Sequence, residues 1–380
     1  SAIVVGAASL ILVLSVFNGF EDLVKSLYTS FYADIKISPA TGNVLTLTPA
    51  RISQLRQTKG VHALSLIAED KGILENGDNR VPAYLKGVDS NFSHVSGVAG
   101  KVETGTFDLG TSDQPMAVLG VGLENILGIE ADRALLPLGV FLFRRGAAIS
   151  SLDPMASLAH ETMVTAGTFR IEQDFDDHYV ITNLDFVRRM IGLGPDEYTA
   201  VEFSLDDPTQ AVAVGQTLIQ LLGKDFHVQT RYEQNQNLYN VMRTEKWVIY
   251  ILLTLILVVA AFNMVGALTM LVWEKQKDIY VLKALGANDR LVRKIFLTEG
   301  LLLAVMGGMG GILLAVVICW LQIKYHLIPL QGGSFLINYY PVKLVATDFL
   351  LVFVTIGVVA LLASWIPATK AAAQPIELKS

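Results

Sequence analysis

The chain has 380 residues, 52% of them hydrophobic and 17% charged, with a mean hydropathy of +0.48 and a net charge of −6. So apolar a composition argues against an ordinary water-soluble protein of this size, and no basic stripe points to nucleic acid. The lone Cys319 sits inside an apolar run, so no internal disulfide can form and every domain must rely on its own core.

The hydrophobicity comes in blocks. Residues 1–20, 247–273, 300–323 and 349–369 contain no Asp, Glu, Lys or Arg. Each block reaches the roughly 20 residues needed to cross a hydrocarbon core about 30 Å thick. Four such blocks predict four transmembrane helices rather than buried core helices. The chain opens already inside the first block, with no basic stretch of a signal peptide before it, so the first span (1–20) reads as truncated.

Beyond it, Phe20, Leu23, Val24, Leu27 and Phe31 recur at helical spacing and predict a stalk. "ADIKISP" (33–39) alternates like a strand. "TPARISQLRQTKG" predicts a helix capped by Thr48, with Pro49 in its first turn and a stop at Gly60. Residues 61–70 predict a second strand, and 71–89 a hairpin around Asn76-Gly77. Strand, helix and strand recur in "YTAVEFSL", "AVAVGQTLIQLLG" and "FHVQTRY". Two such units suggest a ferredoxin-like split βαβ subdomain interrupted by an insert. The insert, about 111–183, holds "QPMAVLG", "LLPLGVFLF", "MVTAGTFRI" and "DHYVITN" and predicts a small β-rich subdomain. Within it, 144–161 has no period and is rich in small and breaker residues; it predicts a long exposed loop. A second stalk, with Leu238, Val241 and Met242 as its stripe, leads into the second span.

The expected fold is thus four membrane helices plus one large α+β domain, 21–246, carried on helical stalks. The second span (247–273) is followed by a loop at 274–294, a third span (295–323), a short loop (324–346), a fourth span (347–369) and a tail (370–380). The large domain has 19 basic against 29 acidic residues, whereas 274–294 holds six basic residues against three acidic. Positive charge marks the cytoplasmic side, so 274–294 and the tail lie inside and the large domain lies outside.

The loop is more than a turn. In "LVWEKQKDIYVLKALGAND", Ile279, Leu282 and Leu285 follow one another at i, i+3 and i+6, among Glu274, Lys275, Lys277, Asp278 and Lys283. Gly286 fits a helix stop, and Asn288 or Asp289 a new cap. Amphipathicity leaves two uses open: lying on anionic lipid, or docking a cytoplasmic partner. In the third span Gly307 and Gly311 stand four apart, which lets helices approach closely, within one subunit or between two. Asn263 is polar within an apolar run and should face protein or a cavity.

Catalytic signatures are missing from the sequence. It has no G-x-x-x-x-G-K-[ST], no H-E-x-x-H and no Cys/His cluster, and its six histidines are scattered. "EQDFDDH" (172–178) reads as a solvated acidic turn, without the spacing of a calcium loop. The expectation is a non-catalytic protein with no metal or cofactor of its own.

"EKQKDIYVLKALGANDRLVRKIFLTEG" resembles the loop and third-span entry of the FtsX-like permease superfamily. "SVFNGFEDLV", "MRTEKWVIYILLTLILVVAAFNMVGAL" and the ending "PATKAAAQPIELKS" are similar to the inner-membrane permeases of the lipoprotein-releasing (Lol) group within it. The resemblance spans nearly the whole chain and is weakest across 111–183. It implies a permease subunit of a type VII ABC transporter in the bacterial inner membrane, with a periplasmic domain and dimeric assembly. A separate ATPase subunit, which binds ATP and Mg, would dock on the 274–286 helix. Lipoprotein acyl chains would enter a cavity between spans one and two of facing subunits; by position Val13, Phe17, Asn18, Phe262 and Asn263 are candidates to line it. The 144–161 loop, with Arg144, Arg145, Asp153, Pro154 and Met155, occupies the place of a loop that hooks a periplasmic carrier in one such subunit, though without an obvious sequence match. The rivals are another permease of the superfamily, serving efflux or cell-wall hydrolases, and a membrane-anchored sensor without an ATPase.

Overall fold

The computed structural model describes residues 2–130, 137–143, 158–223, 225–330 and 339–373. The chain divides into a helical unit, chiefly Ser1–Val24, Leu238–Gln331 and Ile337–Ser380, and a sheet unit, chiefly Lys25–Asn237. The helices are α1 (Ala2–Phe31), α2 (Pro49–Arg56), α3 (Phe92–Val95), α4 (Val121–Leu127), α5 (Gln173–Asp176), α6 (Leu184–Ile191), α7 (Ala211–Leu222), α8 (Arg231–Gln234), α9 (Gln236–Glu274), α10 (Gln276–Ala284), α11 (Asp289–Tyr325) and α12 (Ala346–Ala372). The strands are β1 (Ile35–Pro39), β2 (Leu45–Thr46), β3 (Val61–Asn76), β4 (Asn79–Val88), β5 (Val102–Gly105), β6 (Met116–Gly120), β7 (Leu138–Phe143), β8 (Leu158–Phe169), β9 (Tyr179–Asn183), β10 (Glu197–Tyr198), β11 (Ala200–Leu205) and β12 (Phe226–Thr230).

In the sheet unit the order β12-β1-β11-β3, antiparallel throughout, is that of a ferredoxin-like split βαβ. Helix α2 connects β1 toward β3, and α7 connects β11 to β12. The alternation seen in sequence places Ile35, Ile37, Leu64, Val201 and Phe203 in a core with Leu55, Val214 and Leu218 from those helices. Thr48 caps α2 by accepting from the Arg51 N–H, but the helix ends at Arg56, short of Gly60.

The insert does not form a sheet of its own. Strand β3 runs on to Asn76, so the expected strand and the first hairpin arm are one 16-residue strand. The hairpin turns at Gly77-Asp78, between the Asn76–Asn79 pair, one residue later than expected. The extended arms then pair with the insert: β4 with β9, β9 with β6, β6 with β8, β8 with β7, and β7 back to β3. These ladders close a ring, which leaves no open edge among its strands. Leu74, Leu85, Leu119, Val140 and Val180 fill it. Residues 158–161, expected in the loop, belong to β8, where they pair with β7. The final strand stops at Thr230, whose capping box with Glu233 starts α8.

In the helical unit α1, α9, α11 and α12 are long and apolar enough to cross a membrane. At 1.5 Å per residue the 39 residues of α9 extend about 58 Å, well beyond a hydrocarbon core. Small residues set the packing. A side chain at Gly311 would strike the Val4 carbonyl and the Ala7 Cβ, and one at Gly307 would press on Ile3. Both glycines therefore seat α1 on α11 within one subunit. Gly300 and Gly308 similarly face Ser364 and Ile356 of α12.

Candidate coupling site

Helix α9 ends at Glu274 and α10 begins two residues later, after a turn at Lys275. The structure seats α10 on the bundle through one apolar side chain. Ile279 is 2% exposed and packs with Val272, Val292, Phe296, Ala368 and Ala371. Lys283 reinforces the seat: its Nζ donates to the Ala372 carbonyl at 2.7 Å and lies 2.9 Å from Asp289. A lysine on the last carbonyls of α12 is favoured by the partial negative charge there.

This corrects the expected docking stripe. At 100° per residue Leu282 and Leu285 lie about 60° and 120° round the helix from Ile279. Ile279 therefore turns inward while Leu282 and Leu285 stay outside, Leu285 at 81% exposure. Val281, which the stripe passed over, lies about 160° round from Ile279, beyond Leu285 and nearly opposite Ile279, and it is 59% exposed. The outward face is Val281, Leu282 and Leu285, with Glu274, Lys275, Lys277 and Asp278 exposed around it. Lys275 and Asp278 pair at 3.1 Å in the open, where such a pair adds little. Counting angles from Ile279 rather than spacings would have found Val281.

The end of α10 is built for a sharp stop. Gly286, at φ +95°, donates to the Lys283 carbonyl and Ala287 to that of Leu282, a Schellman motif. Asn288 then accepts from the Leu291 N–H at 2.9 Å and starts α11.

The candidate cavity residues divide. Phe262 and Asn263 are exposed on α9, Val13 is exposed on α1 and Phe17 is half-buried. The described residues therefore supply neither the protein wall nor the cavity expected around Asn263. Asn18 is not on that surface: it is 5% exposed, and its Nδ2 donates to Asp348 at 2.6 Å while its Oδ1 accepts from Lys246 at 2.8 Å. Arg144, Arg145, Asp153, Pro154 and Met155 lie outside the described residues.

The sheet unit holds two features the sequence did not disclose. Lys86 and Glu202 pair at 2.8 Å, 2% and 1% exposed, with Phe31 and Phe92 over the ammonium. Beside them a cleft of about 630 Å³ is lined by Tyr32, Lys36, Glu69, Tyr84 and Tyr179. Burial, with Glu69 nearby, pushes the Tyr32 hydroxyl up to about 12, which keeps it protonated. The acidic turn at 172–178 serves the fold: Glu172 caps α5, and Asp176 accepts from the buried Ile171 N–H at 2.9 Å. Among the described residues no group of three or more His, Cys, Asp or Glu is arranged to hold a metal.

Two family models match the chain: the MacB-like periplasmic core domain over residues 1–221 and the FtsX-like permease C-terminal domain over 250–376. The chain belongs to the FtsX-like permeases with a MacB-like periplasmic core. It is 26% identical over its whole length to the lipoprotein-releasing system transmembrane protein LolE of Haemophilus influenzae, covering 92% of that protein. It is 25% identical over 99% of its length to LolC of Xylella fastidiosa, covering 91% of it. The periplasmic region of MacB from Actinobacillus actinomycetemcomitans aligns with 58% of the chain and 98% of that structure, at 15% identity and a TM-score of 0.38. A member of this family is a helical membrane permease of the ABC-transporter type with a large extracytoplasmic domain, which accounts for both units of the chain.

Proposed function

We propose that the chain is the permease subunit of a type VII ABC transporter that extracts lipoproteins from the inner membrane and passes them to a periplasmic carrier. A separate cytoplasmic ATPase subunit binds ATP and Mg and drives the cycle by displacing α10, without substrate crossing the membrane. The observation that carries this reading is similarity along both halves of the chain to proteins named as transmembrane components of lipoprotein-releasing systems. Two structural features support it. The outward face of α10 gives an ATPase a compact apolar seat ringed by charge, while Ile279 and Lys283 tie that seat to α9, α11 and α12. Exposed Val13, Phe262 and Asn263 give α1 and α9 surfaces that a second permease subunit and lipid acyl chains would cover.

Depletion of the protein in living cells tests the proposal. Outer-membrane lipoproteins are expected to accumulate in the inner membrane. Correct sorting of lipoproteins in depleted cells would refute it and favour another role within the superfamily.

A further inference from the structure

The motif "SVFNGF" meets two other helices at the end of the helical unit away from α10. Asn18 bonds Asp348 in the first turn of α12 and Lys246 in α9. Lys246 Nζ also lies 3.4 Å from Asp348. Next to Asn18, Gly19 lets the chain at Pro341 and Val342 lie directly on α1, where any side chain would collide. Lys343 continues the contact, its N–H donating to the Ser15 carbonyl at 2.9 Å and its ammonium pairing with Asp22. Three helices and one connecting segment therefore meet in one polar cluster.

The cluster sits where apolar packing is thin, with Tyr250 and Leu253 only partly buried against the core. No residue of α9 before Leu257 is buried. In that half of the helix, Lys246 and Tyr250 reach the other helices through polar bonds, Tyr250 to Thr355 of α12. Lys246 lies 28 residues from the end of α9 at Glu274, about 42 Å along an unbroken helix whose far end carries α10. The Lys246 side chain is 28% exposed and that of Asp348 10%, so water reaches the pair.

We propose that Lys246, Asn18 and Asp348 are positioning residues, a polar clasp that makes the far ends of α1, α9 and α12 move as one body when α10 is displaced. The clasp rests on the permease reading for its source of motion. Without it, α9 would swing while α1 and α12 stayed behind, and the stroke would be lost between helices.

The test uses the complex purified with its ATPase subunit and reconstituted in liposomes. Spin labels at positions 24 and 244 report the distance between α1 and α9. In the wild type that distance stays narrow in both the nucleotide-free and the nucleotide-trapped states. Lys246→Met is expected to broaden it on trapping and to lower lipoprotein release about tenfold while ATP hydrolysis continues. Asp348→Asn, a near-isosteric change, should act in the same direction, and the exchange Lys246→Asp with Asp348→Lys should restore both readouts in part. Rescue of that kind separates positioning from simple loss of fold. A narrow distance and wild-type release in Lys246→Met would overturn the clasp, as would failure of the exchanged pair to restore either readout. Absence of ATP-dependent release by the wild type would overturn the permease reading instead, and the label distances would still decide the clasp.

Discussion

The sheet unit closes on itself and the helical unit does not. In the first, β3, β4, β9, β6, β8 and β7 form a ring, and even the charged pair Lys86–Glu202 is sealed under two aromatic rings. In the second, Met306, Phe262, Trp273 and Leu285 are between 66% and 81% exposed. Apolar surface on that scale belongs against lipid or another protein. The contrast sorts what substitutions should do. Changes inside the sheet unit act on its own stability, and changes on the helical unit's outer surface act on partners.

The largest effect should come from the sealed pair. Lys86→Met leaves the Glu202 carboxylate buried without its hydrogen-bonded ammonium, with only the cross-strand Lys36 nearby, a loss of about 3–5 kcal/mol. Unfolding of the full chain followed by a probe in the sheet unit should report it. Replacing both partners by Met should recover much of the loss; equal damage from the double variant would mean that the ion pair itself, not its orphaned half, sustains the fold.

Next is the outward face of α10. Leu282→Glu with Leu285→Glu should leave thermal unfolding unchanged within about 0.5 kcal/mol, as expected for exposed sites. The same variant should lose co-purification of the ATPase. Ile279→Glu should instead destabilise the helical unit, because it buries a charge among Val292 and Phe296. If the two changes had the same effect, the distinction between seat and docking face would be broken.

Gly311→Val probes the seat of α1 on α11 and should cost about 1–3 kcal/mol through overpacking. Subunit association should change less than stability, since the glycine faces α1 of its own chain.

A last effect concerns pH. Burial pushes the Asp176 carboxyl up to about 6, from 3.8 in an unfolded chain. A raised carboxyl pKa favours the protonated native form. Its contribution to stability is therefore full below about 4 and is lost as pH rises through about 6. Asp176→Asn should flatten the dependence of sheet-unit stability on pH between those values. An unaltered slope would assign it to other groups.

Much of the fold was legible in the sequence because its signals are local. Charge-free blocks mark the four membrane helices, period-two alternation marks β1, and short strand-like runs mark β6, β9 and β11. The ring was not legible, because it depends on long-range pairing of β3 with β7, which no turn or period announces. Of the candidate coupling site, the Gly286 stop and the Asn288 cap could be read directly, since each acts through adjacent backbone groups. The inward turn of Ile279 could not, since it depends on Ala368 and Ala371, nearly a hundred residues away. Asn18 illustrates the same limit: the motif around it was conspicuous, but Lys246 and Asp348 are brought to it only by helix packing.

The most direct measurement is ATP-dependent lipoprotein release from liposomes holding the permease and its ATPase, wild type beside the Leu282→Glu, Leu285→Glu variant. The account predicts release by the wild type only when ATP and Mg are present, and background release by the variant at unchanged thermal stability. Wild-type liposomes that release nothing on ATP addition, or a variant that releases as fast as the wild type, would contradict it.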